Sequence, residues 1–256
     1  MTDEPIIETR GLSKRFGGVL AVTEVDFSVA PGQIRTIVGP NGAGKSTFFK
    51  LLLGSIRPDQ GSIYFKGRDV TGLDPHRRAL LGIGVKFQNL AVYEALTVRH
   101  NLYLPLRHHH GRRDVAGEIS IMLERLKLAG KEDMLAGHLA HGQKQWLAIG
   151  MALAMQPKLL LLDEPCAGLG AEETEATVAL IRSCNEQGIA AIVVEHDMAF
   201  VRQLGAPVTV LHYGRIFAEG SLAEIEQHED VRRIYLGAAK PRRLRQTLSA
   251  TEPEKE

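Results

Sequence analysis

Nine consecutive residues, Gly39-Pro40-Asn41-Gly42-Ala43-Gly44-Lys45-Ser46-Thr47, restrict what this chain can fold into more than any other stretch. The glycines let the main chain curl so that successive N–H groups face one point, the arrangement that cradles phosphate oxygens. Lys45 is spaced to reach the β- and γ-phosphates of a nucleotide, and Ser46 offers its hydroxyl to Mg²⁺. An apolar run precedes the loop at residues 34–38 and an apolar, helix-compatible run follows it at 48–53. The context is therefore strand, loop, helix, and a helix beginning near Gly44 turns its positive end toward the same anion.

Composition sets the bounds around that loop. With 256 residues and 44% hydrophobic content the chain can build a sizeable core. Lys and Arg number 31 against 30 Asp and Glu, a net charge of +1. That balance gives no electrostatic case for nucleic acid or for an anionic lipid surface, so a membrane link has to come through a partner. Apolar runs such as 159–162 and 189–194 have strand length, far below the roughly 20 residues that span a bilayer. The opening residues show no signal-peptide pattern, which points away from secretion. Cys166 and Cys184 have no metal-like or disulfide-like spacing and read as small buried hydrophobes of a reducing compartment.

The first thirty residues alternate apolar and polar and break at Pro31-Gly32, which predicts a small antiparallel β element. A turn at Pro58-Asp59-Gln60-Gly61 leads into a short strand at 62–66. From about residue 99 to 137 the periodicity is helical, with Val115, Ile119, Met122, Leu123, Leu126 and Leu128 at three- and four-residue steps. Strands and helices then alternate: helix about 143–155, strand 158–163, helix about 172–186, strand 189–194, helix about 198–204. The expectation is an α/β, P-loop NTPase fold with a mostly parallel core sheet and functional groups at the carboxyl ends of its strands. It spans 1–237, with a helical subdomain at about 95–157 and a loose tail at 238–256 rich in charge, Pro and small polar residues.

Three further strand ends complete the chemistry. Leu159-Leu-Leu-Leu-Asp163-Glu164 is a fully apolar strand that ends in two carboxylates, about 115 residues after the loop. Asp163 is suited to the Mg²⁺ shell and Glu164 to polarising a water. His196 follows the next strand in Val-Val-Glu-His-Asp, where an imidazole can bond a γ-phosphate and hold that water. Gln88 closes a short apolar strand, and its neutral amide can bind Mg²⁺ or the attacking water. The run His108-His-His110 between Arg107 and Gly111-Arg-Arg113 reads as a solvated basic loop, and Trp146 as a packing residue.

The ordered set Phe16, Gly39–Thr47, Gln88, Leu139-Ala140-His141-Gly142-Gln143, Leu159–Glu164 and His196 resembles the ATP-binding subunit of ABC transporters over residues 5–237. Within that family, His141-Gly-Gln-Lys-Gln-Trp-Leu147 and Val194-Glu-His-Asp-Met198 resemble the urea-type branch of the branched-chain amino acid and amide importers. So does the ending Val208-Thr-Val-Leu-His212, Ala218-Glu-Gly-Ser-Leu222 and Tyr235-Leu-Gly237. The resemblance implies an ABC-type ATPase whose ligands are ATP and Mg²⁺, with Phe16 stacked on adenine and Gln88 where the subunit meets its membrane partner. It further implies a dimer closing over two ATP molecules, each covered by the other subunit's signature segment, here Ala140, His141, Gly142 and Gln143. Two integral membrane permease subunits and an extracytoplasmic binding protein complete the assembly. The chain then sits peripherally on the cytoplasmic face of the inner membrane and meets no nucleic acid.

The chain departs from the family at Ala140, where the signature normally carries Ser. That hydroxyl bonds the γ-phosphate and caps the following helix, so its loss removes about 1.5–3 kcal/mol of charged hydrogen bond and around 1 kcal/mol of capping. An N–H of the His141 ring and the helix N-terminus at Gly142 are the expected compensation. In Cys166-Ala-Gly-Leu-Gly170, Gly170 replaces an Asp, leaving communication between sites to backbone contacts. Both changes favour a heterodimer over a homodimer. The competing reading is a soluble ABC-type ATPase or nucleotide-dependent regulator. Against the first stands a single phosphate loop, with only about fifty residues between Gln88 and Leu139, too few for a long coiled-coil arm.

Overall fold

The computed structural model describes residues 4–89, 91–110 and 115–236. The expected tail at 238–256 lies outside the described residues, as do Gly237 and the Gly111-Arg-Arg113 portion of the expected basic loop.

The alternating N-terminal segment forms β1 (Ile7–Phe16) and β2 (Val19–Val29), paired antiparallel. After β3 (Ile34–Val38) and α1 (Lys45–Leu53) the chain returns as β4 (Gln60–Phe65) and β5 (Arg68–Asp69). These give a four-stranded sheet ordered β2-β1-β4-β5. Next come α2 (Pro75–Leu81) and β6 (Ile83–Lys86). The helical stretch holds α3 (Val98–His110), α4 (Ala116–Arg125), a 3₁₀ turn at Ala136–His138 and α5 (His141–Leu153). The remainder alternates: β7 (Leu159–Asp163), α6 (Ala171–Glu186), β8 (Ala190–Val194), α7 (Met198–Leu204), β9 (Val208–His212), β10 (Arg215–Gly220), α8 (Leu222–Gln227) and α9 (Glu229–Leu236). The second sheet runs β10-β9-β3-β8-β7-β6, parallel throughout except at the β9–β10 edge.

The leucine run of β7 shows why that sheet is parallel and central. Leu159 to Leu162 are all wholly buried, because helices cover both faces of a parallel sheet. Leu159 and Leu161 pack with α1 and the antiparallel sheet; Leu160 and Leu162 point to the opposite core with α5, α6 and α7. α1, the helix behind the phosphate loop, is thus enclosed between two sheets through Phe48, Phe49, Leu51, Leu52 and Leu53. Its C-terminal carbonyls lack helical partners. The wholly buried Arg78 of α2 supplies them, donating to Leu51 O at 2.8 Å and Leu52 O at 2.7 Å, and to Val70, Thr71 and Leu73.

Two expectations are corrected here. Residues 108–110 belong to α3 and not to a loop, since the helix carries its 3.6-residue pattern, Leu102 and Leu106 buried, through His110. The helix expected from about 143 starts at His141, directly after the signature's second residue, so the whole segment 141–143 is its first turn. No helix of the described residues is long and apolar enough to cross a membrane.

Candidate nucleotide site

The carboxyl ends of four neighbouring strands, β3, β8, β7 and β6, carry Gly39, Glu195-His196, Asp163-Glu164 and Gln88. This is the edge where parallel sheets bind ligands.

The phosphate loop is shaped by close backbone packing on both sides. Gly44, the N-cap of α1, has φ 102°, and a Cβ there would stand 2.3 Å from Ala21 O of β2. Beside Ala21 the β9–β10 turn bonds the loop through Gly214 N to Ala43 O at 2.9 Å, while Gly214 O accepts from Thr23 N. Gly39 packs so tightly on Leu211 that a side chain would sit 2.3 Å from its carbonyl. Within this frame the half-buried Lys45 donates to Gly39 O (2.6 Å) and Pro40 O (3.1 Å). Burial lowers its pKa, and the carboxylates of Glu164 and Asp163 oppose that shift, so the ammonium and both carboxylates share one field. Ser46 is exposed in the first helical turn, with Thr47 beside it half-buried.

Glu164 gathers the other groups. Its Oε2 accepts from Gln88 Nε2 at 3.0 Å, and its Oε1 lies 3.3 Å from His196 Nδ1. The residue adopts φ 46°, a left-handed conformation unusual for a side chain that is not Gly or Asn. Its N–H bonds Val194 O of β8, and Ala167 N returns to its carbonyl in a tight turn. Asp163 is half-buried and its pKa is raised, first by burial and then by the charge of Glu164. Two adjacent carboxylates facing one ammonium at a phosphate loop favour an added cation, which fits Mg²⁺ held by few protein oxygens.

The signature segment lies apart from these contacts. Ala140 is the N-cap of α5 without a side-chain cap, and Gln143 Oε1 accepts instead from Ala140 N (3.3 Å) and Lys131 Nζ (3.2 Å). His141 is exposed and leans on its own chain: its Nε2 lies 3.0 Å from Ala167 O, which occupies the nitrogen when it carries the proton. The ring was expected to offer an N–H to phosphate across a dimer; in this chain by itself it lies against the loop that follows Glu164. Glu173 joins the same two segments, accepting from Gly170 N at 3.0 Å while lying against Gly142 so closely that a Cβ there would meet its Oε1 at 2.2 Å. Trp146 is half-buried and donates to Thr177 Oγ1 at 3.0 Å. Phe16 ends β1 half exposed, with Lys14 Nζ 5.6 Å from its ring centre.

Two residues were missed in the sequence. Lys86, 1% exposed, donates to Asp163 O (3.1 Å) and Glu164 O (3.0 Å), and burial lowers its pKa to about 8. Glu195, also 1% exposed, accepts from the N–H groups of Cys166, His196 and Asp197, and burial raises its pKa. The available signal was a charge at the end of each of two apolar strands.

A phosphate loop on the central strand, with paired carboxylates at the end of a nearby parallel strand, defines a P-loop nucleoside triphosphatase. Residues 22–167 match the family model described as ABC transporter. The chain is 35% identical over 252 residues to the high-affinity branched-chain amino acid transport ATP-binding protein BraF of Pseudomonas aeruginosa, covering 92% of this chain and 99% of that protein. Among solved structures it superposes on a nucleotide-free ATP-binding cassette from an ABC transporter with TM-score 0.82 and 28% identity, over 91% of this chain and 99% of that one. A dimeric ATP-binding cassette bound to ADP and Pi in a post-hydrolysis state matches with TM-score 0.75 and 27% identity, over 84% and 98%. The chain belongs to the ABC transporter family, and its domain is one that binds and hydrolyses ATP.

Proposed function

We propose that this chain is the energy-coupling ATPase subunit of an importer in the branched-chain amino acid and amide group, and that its cargo is urea, a related amide or a branched-chain amino acid. The observation that carries the ATPase mechanism is the meeting of Gln88 and His196 on the carboxylate of Glu164, beside Lys45. Support for import comes from the likeness to BraF across nearly the full length of both chains.

In this reading Lys45 leaves the carbonyls of Gly39 and Pro40 for the β- and γ-phosphates, while backbone N–H groups from Asn41 to Thr47 surround their oxygens. Exchange of neutral carbonyls for phosphate anions strengthens each bond. Ser46, Asp163 and Gln88 hold Mg²⁺, which when bound offsets phosphate charge. Phe16 provides an exposed face for adenine. Glu164 accepts a proton from the attacking water, and His196, already within reach of that carboxylate, bonds the γ-phosphate. The half-exposed Glu164 needs a water-excluding cover, which the signature segment of a second ATPase subunit supplies. A heterodimer is favoured: Ala140 offers no hydroxyl and His141 is engaged with Ala167, so this chain's own signature is the weaker cover. Two permease subunits and an external binding protein complete the assembly, placing the chain peripherally at the inner face of the cell membrane.

Uptake of labelled urea, acetamide and leucine by cells with and without the gene tests the cargo. Unchanged uptake of all three overturns the import reading. Cooperative ATP turnover by the purified chain alone, as fast as in the intact transporter, overturns the heterodimer.

A further inference from the structure

The end of β6 reaches the Glu164 turn twice. Gln88 holds the carboxylate, and Lys86, two residues earlier and buried, holds the main chain. The two carbonyls that Lys86 grips, those of Asp163 and Glu164, flank the Cα of Glu164 on either side. Both soft dihedrals of that residue are therefore pinned from one point. The pinning has something to act on: φ is 46°, a conformation that persists only where its surroundings over-determine it. An ammonium is costly to bury, and the lowering of its pKa to about 8 reflects that cost. A methionine of similar length would fill the same space without it.

Across the turn Glu195 does the converse with amides, taking the N–H groups of Cys166 (3.2 Å), His196 (3.1 Å) and Asp197 (3.5 Å). One buried cation collects carbonyls and one buried anion collects amides, so the ends of β6, β7 and β8 are tied at Glu164 and His196.

We propose that Lys86 is a positioning residue for ATP hydrolysis, with Glu195 as its counterpart: together they hold the backbone that aims the Glu164 carboxylate and the His196 ring. Because Lys86 bonds the main chain, Gln88 is free to leave the carboxylate for nucleotide while Glu164 keeps its direction. The proposal rests on Glu164 acting as the base.

The test uses the transporter complex purified through a tag on this chain, with turnover expressed per site that binds a fluorescent ATP analogue, so misfolded material does not count. Lys86→Met lowers kcat per site at least 20-fold, with KM for ATP and analogue affinity changed less than threefold. Lys86→Arg, which keeps donors for both carbonyls, restores the rate to within about fivefold of the parent. Glu195→Gln, a near-isosteric change that tolerates poor folding of the Lys86→Met protein as an alternative route, gives the same split at about fivefold. A wild-type rate per site in Lys86→Met, equal losses of kcat and affinity, or no rescue by Arg overturns the proposal. Turnover that survives Glu164→Gln removes the base and this proposal with it; turnover lost there but normal in Lys86→Met overturns the role of Lys86 alone.

Discussion

The two segments assigned to nucleotide are built on different supports. Asp163, Glu164, Gln88 and His196 stand at the ends of three adjacent strands, with Lys45 opening α1 just after the fourth, and buried side chains from neighbouring strands hold the backbone beneath the strand ends. The signature segment stands at the first turn of α5, where Ala140 offers no cap and one side chain, Gln143, serves both Ala140 and Lys131. Strand ends inherit rigidity from the sheet's hydrogen bonds; a helix start depends on its cap. One face is thus organised for chemistry before ligand arrives, and the other presents mainly backbone N–H groups and a helix terminus.

Breaking the strand-end face has the largest expected effect. Glu164→Gln removes the proposed general base and is expected to lower kcat by about 10²–10⁴-fold while ATP still binds, measured as phosphate release beside nucleotide binding in the intact complex. Lys45→Met removes the charged contact to phosphate and weakens ATP affinity by about 1.5–3 kcal/mol, roughly 10- to 150-fold, read by titration with a fluorescent analogue. Strengthening the signature face sharpens the contrast from the other side. Ala140→Ser restores a cap and adds about 1 kcal/mol to stability in urea unfolding. If the segment is the weaker cover, the same change also speeds turnover by the lone chain.

The smallest effect concerns Glu195. Its folded pKa is raised above the usual 4.5, so its contribution to stability is complete below the unfolded value and is lost as pH rises through the folded value. Glu195→Gln removes that loss, and urea midpoints collected from pH 4 upward fall less steeply in the variant than in the parent. An identical pH dependence in both proteins shows that Glu195 does not carry the effect.

The parts legible in the sequence were those whose chemistry requires fixed spacing. The loop at 39–47 and the Asp-Glu pair after four leucines can be read because phosphate and strand geometry leave few alternatives. Lys86 could not be read, since a lysine ending an apolar strand looks like the residue that leaves the core; only the fold puts two carbonyls against it. Arg78 was hidden similarly within Pro75–Leu81, among neighbours that are exposed or half-buried. The helix α2 went unread as well, although Asp74 caps Arg77 N ahead of Pro75. The direction of the His141 ring rests on a contact 26 positions away, beyond any local pattern.

The bond between Gly214 and Ala43 gives the phosphate loop a history as well as a shape. A ribosome that has made the motif, the leucine strand and the carboxylates at the ends of β7 and β8 still lacks the turn that bonds the loop. The frame of the loop is therefore complete only when most of the ATPase domain has been made.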